Sequence, residues 1–386
     1  MTSAIVGANV FDGERLLTDH VLVLANGLVQ ALVPNSEWQG SVPAVDFSDQ
    51  LIAPGFIDLQ LNGGGGVLFN DQPTVAGIAA IAKAHRQFGT TGFLATFITD
   101  EPEKTHTAAS AVKDALANQV PGLLGIHLEG PFLNRDRKGV HDGSMIREIS
   151  DDDLAWLSHV GLDRVLITLA PEQVSDEVLA GLSAAGVIVW AGHSEASYEQ
   201  TIDALESGIS GFTHLFNAMS PLATRAPGMV GAALEHEASW VGVIADGHHV
   251  HPANLRLALR LKPTGKMLLV TDAMPSVGSS ATSFPLNGEQ IQTRDGCNYT
   301  ENGVLAGSDL DMCSAVNNIV SFTGIDYLEA LRMASLYPAQ ALGVDSQLGR
   351  IAPEYRGNLV ALDANRRVTA TWIDGVIERH DPFSRA

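Results

Sequence analysis

Sulfur is scarce in this chain: of 386 residues only Cys297 and Cys313 are cysteines. Two cannot make a disulfide framework, and the reduced cytoplasm is the simplest setting they allow. Positive charge is also short. Lysine and arginine number 23 against 44 acids, a net charge of −21, which argues against nonspecific binding to nucleic acid or an anionic membrane. Any anionic ligand would need cationic groups placed for it. No apolar run nears the ~18 residues that cross a bilayer. The N-terminus, Met1 to Gly7, lacks the basic stretch and long apolar segment of a signal peptide. No Gly-x-Gly-x-x-Gly opens a helix after the first barrel-type strand, so a dinucleotide fold is disfavoured. Gly63-Gly64-Gly65-Gly66 lacks the Lys-Ser/Thr of a phosphate-binding P-loop and reads as a flexible loop.

What remains is the composition of a globular protein with a large core. Its length suits one barrel of roughly 250 residues and a smaller second domain. Both ends read as β. Val21–Ala25 and Leu28–Val33 flank Asn26-Gly27, a two-residue hairpin signal. Asn358–Leu362 and Val368–Ile373 precede a turn at Asp374-Gly375. Neither end makes a good sheet alone, so residues 1–52 and 345–386 are expected to pair as one small β-sandwich. The region 53–344 is then an inserted barrel. Within it eight short apolar runs alternate with helical segments: Phe56–Leu59, Phe93–Phe97, Leu124–His127, Val165–Leu169, Val187–Trp190, Gly211–His214, Val241–Ile244 and Leu268–Thr271. Val75, Ile78, Ile81 and Ala82 share a helical face, and Ser197 with Gln200 can form a capping box; Ser150 with Asp153 is a weaker one. Alternating strands and helices imply parallel strands, and eight units favour closure. The expected fold is an α/β (β/α)8 barrel. Pro275 to Gly307, rich in Gly, Ser, Asn and Thr, breaks the cadence and reads as an excursion after strand eight, a small hairpin over the site.

Histidines and acids sit repeatedly at the ends of these apolar runs, where a (β/α) barrel builds its active site. A carboxylate at Glu129 would cost several kcal/mol if buried unpaired; it needs a metal, an arginine or water. His193 and His214 are singly ambiguous, since a lone strand-end histidine is commonly structural. As consecutive strand ends, five and six, facing Glu129 from strand three, the three read jointly as a metal site. Nitrogen and oxygen donors without sulfur suit Zn²⁺ first, and also Fe²⁺, Co²⁺ or Mn²⁺. Asp272 ends the most apolar strand. Its bland role is a turn cap; its chemical role is a base that takes a proton from activated water and returns it to a leaving group. His248, His249 and His251 crowd the end of strand seven, and His249 is the best candidate for substrate contact. Asn217, Ala218 and Arg225 follow strand six and could meet an anion. His141, in the strand-three loop, could polarise a carbonyl.

The motifs His-Leu-Glu-Gly-Pro-Phe at 127–132, Gly-His-Ser at 192–194 and Thr-His-Leu-Phe-Asn-Ala-Met at 213–219 resemble the N-acetylglucosamine-6-phosphate deacetylases of the amidohydrolase superfamily. Ala-Asp-Gly-His-His-Val at 245–250, Val-Thr-Asp-Ala-Met at 270–274, Pro-Gly-Phe-Ile-Asp-Leu-Gln-Leu-Asn-Gly at 54–63 and Leu-Ala-Gly-Ser at 305–308 extend the likeness over essentially the whole chain. The resemblance implies a divalent metal on Glu129, His193 and His214, with Asp272 as base and acid and His141 at the acetyl carbonyl. It implies sugar-phosphate contacts from Val140, His141, Asn217, Ala218, Arg225, Asp246, Gly247, His248, His249, Leu305, Ala306 and Gly307. It also implies at least a homodimer, with Arg225 and His249 as the candidates to serve the neighbouring subunit. Many superfamily members carry His-x-His at the end of strand one and a bridging lysine on strand four. Here those places hold Asp58-Leu59-Gln60 and Thr168, which implies one ion per subunit. The expected reaction is hydrolysis of N-acetyl-D-glucosamine 6-phosphate to glucosamine 6-phosphate and acetate, in amino-sugar catabolism or recycling. Alternatives are the galactosamine epimer's deacetylase, a hydantoinase- or dihydroorotase-like activity, and a sugar-phosphate sensor without catalysis.

Overall fold

The computed structural model describes residues 2–40 and 42–381. Eight strands pair in chain order, each parallel to the next: β1 Phe56–Leu61, β2 Thr90–Ile98, β3 Leu123–Glu129, β4 Val165–Leu169, β5 Ile188–Ala191, β6 Ile209–Phe212, β7 Trp240–Val243 and β8 Met267–Leu269. The expected α/β barrel of eight units is present. Its strands are apolar because helices cover them on one face and packed side chains fill the other. Trp190, Phe56, Phe93, Phe97 and Phe212 are fully buried there, each contributing roughly 1.5–3 kcal/mol by its removal from water.

The seam between β8 and β1 closes through residues just past β8. The Asp272 amide donates to the Gln60 carbonyl at 3.0 Å, and the Asn62 amide to the Ala273 carbonyl at 3.1 Å. Below them the fully buried Asp58 accepts from the Thr271 hydroxyl at 2.5 Å and from the amides of Gln60 and Thr271 at 3.2 and 3.3 Å. Burial raises its carboxyl to about 7. Asp58 thus binds the first strand to the last, next to the residue expected to act as base.

The chain ends build two sheets that share a core, a four-stranded one from the N-terminal end and a six-stranded one in which strands of both ends pair. Leu51–Pro54, which spans the expected 52/53 boundary, pairs antiparallel with Leu359–Leu362. Ile5, Val10, Leu22 and Ile52 from one end pack with Leu359, Ala370 and Trp372 from the other. Both hairpin turns form, with positive φ at Asn26 and Gly27 and again at Asp374 and Gly375, as two-residue turns of this type require.

Three local readings are corrected. Ser150 and Asp153 form a complete capping box, because Asp153 needs only to reach the Ser150 amide at 2.9 Å and is itself held by Arg147. Gly63-Gly64 is not a flexible loop: it pairs with Val67–Leu68, and the Gly63 carbonyl lies 2.9 Å from His85 Nε2. A Cβ on Gly64 would come within 2.7 Å of that ring, so glycine is required by close approach. The excursion after β8 is more than a hairpin. Ser283–Leu286, Glu289–Arg294, Cys297–Tyr299 and Leu305–Ser308 form a four-stranded antiparallel sheet, tied to the strand-three loop by Asn287 Nδ2 donating to the Val140 carbonyl at 2.8 Å.

Candidate active site

Glu129 ends β3, while His193, His214 and Asp272 lie two or three residues beyond β5, β6 and β8. All three of the latter have positive φ, at 49°, 33° and 53°, a conformation uncommon outside glycine and often found at functional sites. The turn it produces stops each ladder and directs the side chain over the barrel mouth. This is why the strands end earlier than the apolar runs suggest.

Glu129, His193 and His214 are each at most 5% exposed. Glu129 Oε1 lies 3.1 Å from His193 Nε2 and 3.0 Å from His214 Nε2, and the two imidazole nitrogens are 3.0 Å apart. His193 Nδ1 sits 2.8 Å from the Arg137 carbonyl, which can only accept, so Nδ1 carries a proton. A neutral His193 therefore aims a bare Nε2 lone pair at the Glu129 carboxylate. Lone pairs converging from three donors repel one another unless a cation sits among them. The donor chemistry fits a divalent ion, with the second ring nitrogen of His193 anchored as such ligands require. Burial alone would raise the Glu129 carboxyl, but in the absence of an ion the adjacent rings of His193 and His214, when protonated toward it, outweigh burial and hold the group well below its usual range.

Asp272 is the other carboxylate of the site. Asn62 Nδ2 donates to its Oδ1 at 2.6 Å and Gln60 Nε2 at 3.2 Å; Gln60 also donates to both Glu129 oxygens at 3.2 Å. Burial first, and the Glu129 charge second, raise Asp272 to about 6. That is a useful value for a group that must accept and return a proton near neutrality. His141 Nδ1 lies 2.8 Å from the Thr99 hydroxyl, and burial lowers its pKa to about 3. It is a neutral imidazole. When Thr99 donates to Nδ1, the ring proton resides on Nε2, the tautomer that can donate to a carbonyl oxygen. Thr168 bonds His127 Nε2 at 2.7 Å and Thr213 at 2.6 Å inside the barrel.

One cavity of about 170 Å³ gathers Glu129, His193, His214 and Asp272 with Val140, His141, Asn217, Ala218, His249, Leu305 and Gly307. The other expected contacts fall elsewhere. Ala306 is fully buried in the core of the four-stranded sheet, because alternation along a strand turns it away from its neighbours. Asp246 does not line the cavity. Its Oδ1 accepts the amides of His248 and His249 at 2.8 Å each, and its Oδ2 holds His249 Nδ1 at 2.5 Å. Gly247 forms the turn between them at φ 78°, and His248 is exposed and faces a second cavity. Arg225 lies on the exposed stretch 221–226, outside the cavity within its own chain.

Sequence reasoning missed Asn62 and Thr99. Asp58, Gln60 and Asn62 alternate along β1 and its continuation, and that period of two was a readable signal for Asn62. Thr99 follows β2 with only a hydroxyl to mark it.

A family model for the amidohydrolase family matches residues 51–377. An N-acetylgalactosamine-6-phosphate deacetylase of Shewanella sp. (strain ANA-3) is 42% identical, with 95% of each chain covered. An N-acetylglucosamine-6-phosphate deacetylase of Haemophilus influenzae is 34% identical over 97% of this chain and 99% of that one. Among solved structures, N-acetylglucosamine-6-phosphate deacetylase from Pasteurella multocida superposes with a TM-score of 0.95 at 36% identity, covering 98% of this chain and all of the other.

Proposed function

The chain belongs to the amidohydrolase family, and we propose that it hydrolyses the acetamide of N-acetyl-D-glucosamine 6-phosphate, giving D-glucosamine 6-phosphate and acetate. Such a step serves amino-sugar catabolism or recycling. The convergence of Glu129, His193 and His214 beside Asp272 in one cavity carries the proposal. A non-catalytic sensor needs no general base there, and hydantoinase- or dihydroorotase-like activity accounts for no phosphate-bearing relatives.

Glu129, His193 and His214 would hold one divalent ion, Zn²⁺ by preference, with Fe²⁺, Co²⁺ or Mn²⁺ compatible with the same donors. When bound, the ion supplies Lewis acidity, which acidifies water and polarises a carbonyl. Asp272 takes the proton of the attacking water at its carboxylate, and Gln60 and Asn62 keep that carboxylate aimed. His141, through Nε2–H, donates to the acetyl oxygen as negative charge develops there. Asp272 then delivers its proton to the departing amine nitrogen. Val140, Asn217, Ala218, His249, Leu305 and Gly307 surround the sugar phosphate. Arg225, exposed on its own subunit, reaches the phosphate of a partner's site in a homodimer.

A second substrate is favoured by one observation: the Shewanella relative at 42% identity is named for the galactosamine epimer. Acetate release by metal-analysed protein from both phosphorylated epimers, and from unphosphorylated N-acetylglucosamine, tests the assignment. Fastest turnover of the glucosamine sugar phosphate is expected. Faster turnover of the epimer would transfer the assignment to it, and no release from either sugar phosphate by metallated protein would refute both.

A further inference from the structure

We propose that Asp246, His249 and Cys297 form a second metal site, for a thiophilic transition-metal ion such as Zn²⁺, that fastens the four-stranded sheet to the end of β7. One donor atom from each residue lies within 4.8 Å of the others. Asp246 and His249 stand in the turn after β7, and Cys297 begins a strand of the sheet formed after β8. The three are distinct from Glu129, His193 and His214, and they add the thiolate that the first set lacks.

Three features separate this cluster from a chance meeting of polar groups. The first is orientation. Asp246 Oδ1 is occupied by two backbone amides at 2.8 Å, so its other oxygen is held in place toward His249 Nδ1. The second is burial of the thiol. Cys297 is 0% exposed, and a buried sulfur beside an imidazole and a carboxylate offers the sulfur, nitrogen and oxygen donors that Zn²⁺ takes. The third is a route for the ion. A cavity of about 340 Å³ opens on Asp246 and His248 and is also lined by Asp295, Asp309 and Asp311. Among the described residues no lysine or arginine lines it.

The charges and protons balance. One carboxylate, one thiolate and one neutral imidazole offset a divalent ion. Binding releases the Cys297 thiol proton to solvent. The ion takes the place of the proton between Asp246 Oδ2 and His249 Nδ1, whose atoms move from 2.5 Å to roughly 3 Å apart to admit it, so the ring's remaining proton sits on Nε2. The fourth position is left to water. In this arrangement the site is structural, and it sets the tautomer of an imidazole that borders the substrate cavity. Only that last consequence rests on the proposed deacetylase activity.

Cobalt substitution tests the site without reference to turnover. The Glu129–His193–His214 centre contains no sulfur, so thiolate-to-cobalt charge-transfer absorption can arise only from a cysteine ligand. Wild-type protein equilibrated with Co²⁺ is expected to show this band and two ions per chain. Cys313→Ser should keep both. Cys297→Ser should lose the band and fall to one ion per chain. A wild-type protein with one ion and no thiolate band would overturn the site, even if Cys297→Ser failed to fold. A band that survives in Cys297→Ser would overturn it equally. Because the readout is spectroscopic, failure of the deacetylase assignment would leave the outcome interpretable.

Discussion

Asn62 donates through Nδ2 to Oδ1 of Asp272 at 2.6 Å, across the seam where the first and last strands of the barrel meet. This bond favours the charged form of a carboxyl that burial raises to about 6. A base works when deprotonated, so kcat/KM rises as pH climbs through the Asp272 pKa. A bound cation favours the carboxylate, which places that rise at or below pH 6. In Asn62→Ala the stabilising donor is gone, the pKa moves up, and the acidic limb must move to higher pH. Hydrogen bonds to charged groups are worth about 1.5–3 kcal/mol, or roughly one to two pH units. A pH–rate profile that does not move, at unchanged metal content, would remove Asn62 from this role.

Thr99 makes a related prediction for His141. Its hydroxyl lies 2.8 Å from His141 Nδ1 and 3.3 Å from the Glu129 carbonyl, and when its proton turns to Nδ1 the ring presents Nε2–H to the cavity. Thr99→Val keeps the shape and removes the hydroxyl, so the imidazole loses its fixed proton position. The expected result is a fall in kcat of about tenfold to a hundredfold, in the range of a lost general-acid or oxyanion contact. KM should change little, and Thr99→Ser should restore most of the rate. Equal losses in Thr99→Val and Thr99→Ser would point to packing instead.

The barrel was legible because its strands are continuous apolar runs ending in polar chemistry, and the site was legible because Glu129, His193, His214 and Asp272 are those endings. The positive φ at three of them was not legible, since nothing in a histidine or aspartate codon-by-codon announces a left-handed backbone. The split of the doublet at 248–249 was equally hidden. Which imidazole faces the cavity depends on Asp246 capping the turn, a tertiary detail of hydrogen bonding. The excursion's four strands were obscured by short segments in which Gly and Asn mark turns without revealing which strands pair. Arg225 was readable as a cation near strand six, but its distance from the cavity of its own chain was not.

Chelation gives the third prediction. With the ion removed, the His193 and Glu129 lone pairs face each other in a buried site, so apoprotein must lose both activity and stability. Ligand linkage sets the scale: an ion present at about a hundred times its Kd stabilises by roughly 2.7 kcal/mol. Thermal unfolding with and without chelator should show a lower Tm in the apoprotein, reversed by added Zn²⁺ or Co²⁺. Asp272→Asn, by contrast, should keep its metal while kcat falls by about 10²–10⁴, the usual contribution of a general base. Near-normal turnover in a fully metallated Asp272→Asn protein would reassign the base.

Arg225 supplies the last prediction, because its exposure on the stretch 221–226 leaves it useful to the reaction only if it reaches a neighbour. Arg225→Ala should raise KM for the phosphorylated sugar and leave metal content alone. Mixing then separates action within a subunit from action between subunits. In a hybrid of Arg225→Ala with Asp272→Asn, one active site combines an intact Asp272 with the partner's intact Arg225. If Arg225 acts across the interface, dissociating and reassembling the two variants restores about a quarter of the wild-type sites, given random pairing of two-fold dimers. If it acts within its own subunit, no hybrid site has both groups and no activity returns. Reassembly that yields hybrids, verified by mass, without any recovery at low substrate would place the phosphate contact elsewhere.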